Sequence, residues 1–233
     1  SGIGREIAYL LAMEKYDLIL VARREELLGD IKQDLSMFGI NILIEVLDLS
    51  TTENCHLLFN NIKDLDVKLF INNAGLANRA EALDHNDDLW DQTIEIDLTA
   101  PFILSREIGK GMAQRGYGKI IFIASMWTFL GGKNVISYTA AKTALAGLTR
   151  GLSNELLPMG ITVNAIAPGF IETDITQAVR NDAERSAWIT SRIPKGRWGQ
   201  PSDLAGAALF LSAPASDYVS GVVLAVDGGF LAN

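Results

Sequence analysis

Hydrophobic positions along the chain alternate between two periods. From Gly2 to about Lys15 the apolar residues include Ile7, Leu10 and Leu11, spaced for one face of a helix. DLILVA (17–22) then runs apolar without interruption, as a strand covered on both faces does. The exchange continues down the chain. REELLGDIKQDLSMFG (24–39) reads as a charged helix, NILIEVLDL (41–49) as a strand, TTENCHLLFNNIKD (51–64) as a helix and VKLFINNAG (67–75) as a strand ending in a turn. One long helix is expected from about Asp88 to Arg115, closed by RGYGK. KIIFIAS (119–125), ITVNAIAPG (161–169) and GVVLAVDGG (221–229) are the later strands, with helices over 137–157 and 201–212.

Strands alternating with helices of this length predict βαβ units, hence a parallel sheet with helices on both faces. The expected architecture is a single-domain α/β fold over 1–233, a doubly wound Rossmann-type sheet. Ligands bind such sheets at the C-terminal strand ends. That rule gathers Ala22, Arg23 and Arg24, Asp48, Asn73 to Gly75, Ser125, and Pro168 with Gly169 along one crevice. The irregular segment 171–195 carries Ile175, Val179, Trp188 and Ile189 at the spacing of one or two short helices, as a lid covering bound substrate or a fixed helical subdomain would.

Composition narrows the function. The chain has 233 residues, 48% of them hydrophobic, enough for a large buried core. Its net charge of −8 argues against nucleic acid as a partner. No apolar run reaches the roughly 18 residues of a membrane span. The lone Cys55 excludes an internal disulfide and fits a reducing cytoplasm. His56 and His85 show no metal-ligand spacing, so no metal is expected.

The chemistry concentrates in SYTAAKTA, where Tyr138 and Lys142 stand four apart on one helix face. A lysine ammonium beside a phenol favours the phenolate and prepares the tyrosine to exchange a proton with an alcohol or carbonyl. Ser125, at the end of a buried strand, is placed to meet Tyr138 across the crevice. At the start of the chain, SGIG opens a helix as a phosphate cradle would, yet no strand precedes it.

These residues resemble the short-chain dehydrogenase/reductase family, over essentially the whole chain. SGIG looks like the second half of the family's glycine motif, whose first half is absent. NNAG (72–75) matches the turn bordering the cofactor, APGFIET (167–173) the turn that meets the nicotinamide amide, and VDGG (226–229) the C-terminal strand signature. The resemblance implies that Ser125, Tyr138 and Lys142 are catalytic, with Tyr138 the proton donor in reduction and the base in oxidation. It also implies cofactor contacts from Ser1, Gly2, Ile3, Asp48, Leu49, Asn73, Ala74, Gly75, Tyr138, Lys142, Pro168, Gly169, Ile171 and Thr173. Because the family's first strand lies at the centre of the sheet, the natural protein is expected to have about 10 to 25 residues before Ser1.

One position departs from the family. Asp97 stands where an asparagine usually completes a proton relay. Aspartate keeps the shape, loses the amide donor and brings a charge able to pair with Lys142, so activity at a shifted pH optimum is expected. Arg23 and Arg24 follow the second strand where NAD-selective sites carry an acid, which favours NADP over NAD. NNAGLANRAEAL, IASMWTFLGG and RIPKGRWGQPSDL are similar to the sugar-acid branch, including gluconate 5-dehydrogenases and 2-dehydro-3-deoxygluconate dehydrogenases. On that likeness Arg79, Trp127 and Arg192, with Ser125 and Tyr138, would meet substrate, and Arg79 could receive a carboxylate. Arg197 and Trp198 lie where the covering segment returns; Arg197 either faces substrate or buttresses the loop. Two other readings stay open: a 3-oxoacyl-carrier-protein reductase, and a protein that senses a nucleotide without turnover. Kinship points to a homotetramer or homodimer acting on a small molecule, with GGFLAN (228–233) able to join an interface.

Overall fold

The computed structural model describes residues 2–233; Ser1, and the cofactor contact expected of it, lie outside the described residues. The chain begins with α1 (Gly2–Met13), β1 (Leu18–Ala22), α2 (Glu25–Leu35), β2 (Ile42–Val46), α3 (Thr52–Ile62) and β3 (Leu69–Asn72). After α4 (Asp87–Ile94) come α5 (Ala100–Arg115), β4 (Gly118–Ile123), α6 (Ile136–Leu156) and β5 (Ile161–Pro168). Two short helices, α7 (Gln177–Arg180) and α8 (Ala183–Arg192), precede α9 (Ser202–Ser212) and β6 (Val223–Val226).

Every strand pair is parallel, as the alternation of strands and helices requires. The strands fall into two groups, β1–β2 and β3–β4–β5–β6. Chain order runs outward from β1 in one direction and from β3 in the other, so the switch point of a doubly wound sheet lies between these two strands. No ladder joins β1 to β3 among the described residues. Side chains of both strands line a cavity of about 1690 Å³ that continues into the crevice at their C-terminal ends.

The pleat divides the core. Ile120 and Phe122 of β4 face one layer, with Leu58, Leu104, Met112 and Leu145 from α3, α5 and α6. Ile121 and Ile123 face the other, with Ile7 and Leu11 of α1 and Leu204 and Leu211 of α9. A period of two therefore gives β4, and likewise β5, two buried faces, and their uninterrupted apolar runs follow from that.

The long helix expected over 88–115 is not one α-helix. A π-helical turn, Glu95–Thr99, separates α4 from α5, and the Ala100 N–H donates five residues back to the Glu95 carbonyl. Proline explains the change: Pro101 has no N–H to give the carbonyl of Asp97, so the ordinary four-residue bond is unavailable there. Such turns are frequent at functional sites. This one carries Asp97.

In the C-terminal tail Phe230 is buried within its own chain, beside Phe170 and Trp198. Leu145 is fully buried in the layer that seats α6. Leu145→Ala is expected to cost about 2–5 kcal/mol of stability, read as a lower midpoint in urea unfolding.

Candidate active site

Three elements bring the central side chains together. Helix α6 presents Tyr138 and Lys142 one turn apart, and the Lys142 Nζ lies 5.4 Å from the centre of the Tyr138 ring. Ser125 leaves β4 and caps the following 3-10 turn, its Oγ accepting from the Trp127 N–H at 3.3 Å. That hydroxyl also acts on Tyr138, favouring its ionised form. The π-helical turn supplies Asp97 from below.

Lys142 is almost completely buried, and Asp97 completely so. The Lys142 Nζ donates to the Ile123 carbonyl at 2.9 Å and pairs with Asp97 Oδ1 at 2.8 Å. Asp97 Oδ2 accepts the Leu76 N–H at 3.2 Å. Gly75 makes this approach possible, because a Cβ there would sit 2.5 Å from Asp97 Oδ1. Burial pushes the Tyr138 hydroxyl above the ordinary phenol range; Lys142 opposes this and Asp97 reinforces it. Burial also pushes the Asp97 carboxyl upward against the pull of Lys142. For Lys142 burial acts downward, yet Asp97 and Tyr138 together hold the ammonium above its usual value. The ammonium thus stays charged while buried, as a group that favours phenolate must.

The crevice collects most of the residues singled out from sequence. Gly2, Ile3, Arg23, Arg24, Asp48 and Leu49 line it at one end. Asn73, Ala74, Gly75, Pro168, Gly169, Ile171 and Thr173 line it beside Ser125, Tyr138 and Lys142, and Arg79 and Trp127 reach it as well. Gly4 lets α1 approach the NNAG turn, since a Cβ there would meet Asn73 Nδ2 at 2.6 Å. Arg23 pairs with Asp48 at 3.6 Å, and Arg24 with Asp174 at 3.9 Å.

Two arginines are placed elsewhere. Arg192 does not line the crevice; its guanidinium lies over the Trp188 and Phe230 rings, 5.6 and 5.5 Å from their centres. Attraction to two aromatic faces holds it there. Arg197 is the buttress: it grips both carboxylate oxygens of Asp203, at 2.7 and 2.9 Å, and with the Gln200 N–H holds that carboxyl down at about 2.

Arg185, on α8, lines the crevice and was not singled out from sequence. Its charge, after burial, helps lower the Arg79 pKa, so the two guanidiniums stand close enough to repel. Neither pairs with a carboxylate among the described residues. Periodicity alone does not distinguish Arg185 from Arg192, which sits two turns along the same helix stripe. Among the described residues no cluster of three His, Cys, Asp or Glu side chains is placed to hold a metal. Among the described residues no helix is long and apolar enough to cross a membrane.

A family model described as enoyl-(acyl carrier protein) reductase matches residues 1–231. The 2-dehydro-3-deoxy-D-gluconate 5-dehydrogenase of Pseudoalteromonas atlantica is 47% identical over 233 residues, covering 99% of this chain and 92% of the relative. The chain is a short-chain dehydrogenase/reductase. As a member of that family it is an oxidoreductase that acts on CH–OH groups with NAD(P). A provisionally assigned NAD(P) dependent gluconate 5-dehydrogenase from Beutenbergia cavernae, with NADP bound at low occupancy, superposes with a TM-score of 0.97. It is 40% identical, with 100% of this chain and 94% of that one covered. A gluconate 5-dehydrogenase from Burkholderia cenocepacia, in complex with NADP and tartrate, gives 0.94 at 32% identity, covering 100% and 92%.

The crevice of this short-chain dehydrogenase/reductase fits a dinucleotide: it runs from the N-terminus of α1 to Tyr138, and Gly75 leaves room beside Lys142 that a side chain would fill. Gly75→Ala should displace Asp97 and slow turnover by about 10- to 100-fold. Steady-state kinetics beside an unchanged circular dichroism spectrum would check this.

Proposed function

We propose that this enzyme oxidises a secondary alcohol of a sugar acid, such as a gluconate derivative, or reduces the corresponding ketone, with NADP. The observation that carries the substrate class is the pair Arg79 and Arg185: two guanidiniums in the crevice beside Tyr138 that lack a carboxylate partner among the described residues. A substrate carboxylate relieves their mutual repulsion and accepts charge-assisted hydrogen bonds from both. The tartrate in the Burkholderia cenocepacia complex is likewise a hydroxy acid. Arg185 rides on segment 171–195, which we read as a lid over the substrate.

In oxidation Tyr138, as phenolate, takes the O–H proton of the alcohol while the C–H hydride leaves with its electron pair. When bound, the nicotinamide cofactor accepts that hydride in oxidation or supplies one in reduction. Ser125 holds the substrate oxygen beside Tyr138, and Lys142 stabilises the phenolate. Trp127 walls the substrate end, where its ring meets Phe170 edge to face at 6.0 Å. Gly2 and Ile3 at the start of α1 would cradle the pyrophosphate. Asp48 and Leu49 would flank the adenine, and the strand-end turns at 73–75 and 168–173 would enclose the nicotinamide end. Arg23 and Arg24 would hold a 2′-phosphate, since their present ion pairs are exposed and long, and pairs of that kind contribute little. Exposed Trp90, Phe102, Phe210 and Tyr218 support assembly as a homotetramer or homodimer.

A panel of D-gluconate, 2-dehydro-3-deoxy-D-gluconate, a neutral polyol and a 3-oxoacyl thioester tests the substrate class. Turnover of the acids is expected, and Tyr138→Phe should remove about 100- to 10,000-fold of kcat. Arg79→Ala and Arg185→Ala should each raise KM for the acid by about 10- to 100-fold and leave the neutral polyol unaffected. Turnover of the thioester alone would replace this reading with the carrier-protein reductase. For the cofactor, changing Arg23 and Arg24 together to Ala should weaken NADPH binding about tenfold or more while NADH binding stays constant, followed by nicotinamide fluorescence.

A further inference from the structure

We propose that Asp97 is a positioning residue: its carboxylate holds the Lys142 ammonium by a buried ion pair and moves the working pH range of alcohol oxidation upward. This rests on the reading of Tyr138 as the acid–base group. The Lys142 ammonium has three N–H donors. One goes to the Ile123 carbonyl at 2.9 Å, and the Nζ forms an ion pair with Asp97 Oδ1 at 2.8 Å, so the carboxylate and the Tyr138 ring, its centre 5.4 Å away, share one buried charge. Asp97 is held in turn by the Leu76 N–H, by the close approach of Gly75 and by the π-helical turn that Pro101 opens.

Charge, rather than shape, is what distinguishes this arrangement. An amide at position 97 would offer Lys142 an oxygen in the same place without the negative charge. The carboxylate attracts the ammonium more strongly and also acts on the phenol directly, and both effects favour the protonated tyrosine. No bulk water reaches Asp97, which is fully buried, so its field is weakly screened.

The other charged and titratable groups near this site are accounted for. Arg79, from the loop after β3, favours phenolate, and Arg185 faces the same crevice from α8. Glu95, on the same turn as Asp97, accepts from Thr52 Oγ1 at 2.9 Å. His85 is engaged by Ser137 Oγ at 3.0 Å. None of them contacts Lys142 Nζ, so Asp97 is the negative group that the ammonium must share with Tyr138.

The sign follows from the chemistry. Oxidation needs the phenolate, so its rate rises with pH as Tyr138 ionises; removing the negative charge lowers that midpoint. The test is an ultraviolet titration of the Tyr138 phenolate, taken as enzyme minus its Tyr138→Phe counterpart, for wild type and Asp97→Asn. The midpoint should fall by about one pH unit in the variant. The acidic limb of the pH–kcat profile with D-gluconate should move down by the same amount. Coincident midpoints, or an upward shift, would overturn the proposal. Should D-gluconate not be turned over, the substrate reading fails while the titration still decides the role of Asp97. If Asp97→Asn does not fold, Asp97→Ser, which also removes the charge, is titrated in its place: a fall of the Tyr138 midpoint below wild type is expected, and a coincident or higher midpoint sinks the idea.

Discussion

A single buried ammonium organises the end of the crevice where Ser125 and Tyr138 meet. Lys142 has to remain charged where water does not reach, and an isolated ion there would lose its proton. It therefore donates to the carbonyl at the end of β4 and forms an ion pair with the carboxylate on the turn between α4 and α5. Each partner imposes a condition on the fold. β4 must end at Ile123 against α6, the helix before α5 must widen at Glu95–Thr99, and the chain after β3 must pass Asp97 without a side chain at Gly75. Tyr138 then stands over the ammonium with Ser125 beside it, one group placed from a helix and the other from a strand.

The sheet explains why these pieces converge. Parallel strands all end on one side, and a doubly wound order leaves a crevice where the winding reverses. Here that place lies between β1 and β3, and the crevice continues into the space between the two strand groups. Rigid layers on both faces hold the strand ends in register, so a site built from distant segments keeps its spacing. Around the opening, arginines divide by what they meet. Arg197 is tied to Asp203 and Arg192 to two aromatic rings, whereas Arg79 and Arg185 are left facing the crevice. Of these four, the second pair lines the crevice and the first does not.

Much of this was legible in the chain. The apolar runs marked the strands because a strand buried on both faces has no polar positions to alternate with. Their C-terminal ends named most of the crevice, since the Rossmann-type arrangement puts those ends together whatever the loops do. The four-residue spacing of Tyr138 and Lys142 is a local property of a helix, and it needed no tertiary information. The departure at Asp97 was equally visible as a residue type.

What only the tertiary structure decided were contacts between segments far apart in sequence. The pairing of Asp97 with Lys142 spans 45 positions and depends on a π-helical turn that periodicity over 88–115 does not distinguish from ordinary helix. The fate of each arginine depended on which aromatic ring or carboxylate the folded chain brings near. Arg185 and Arg192 share a stripe of α8, yet the first meets the crevice and the second an aromatic pair. Local spacing determines which face a side chain occupies; only packing determines what that face meets.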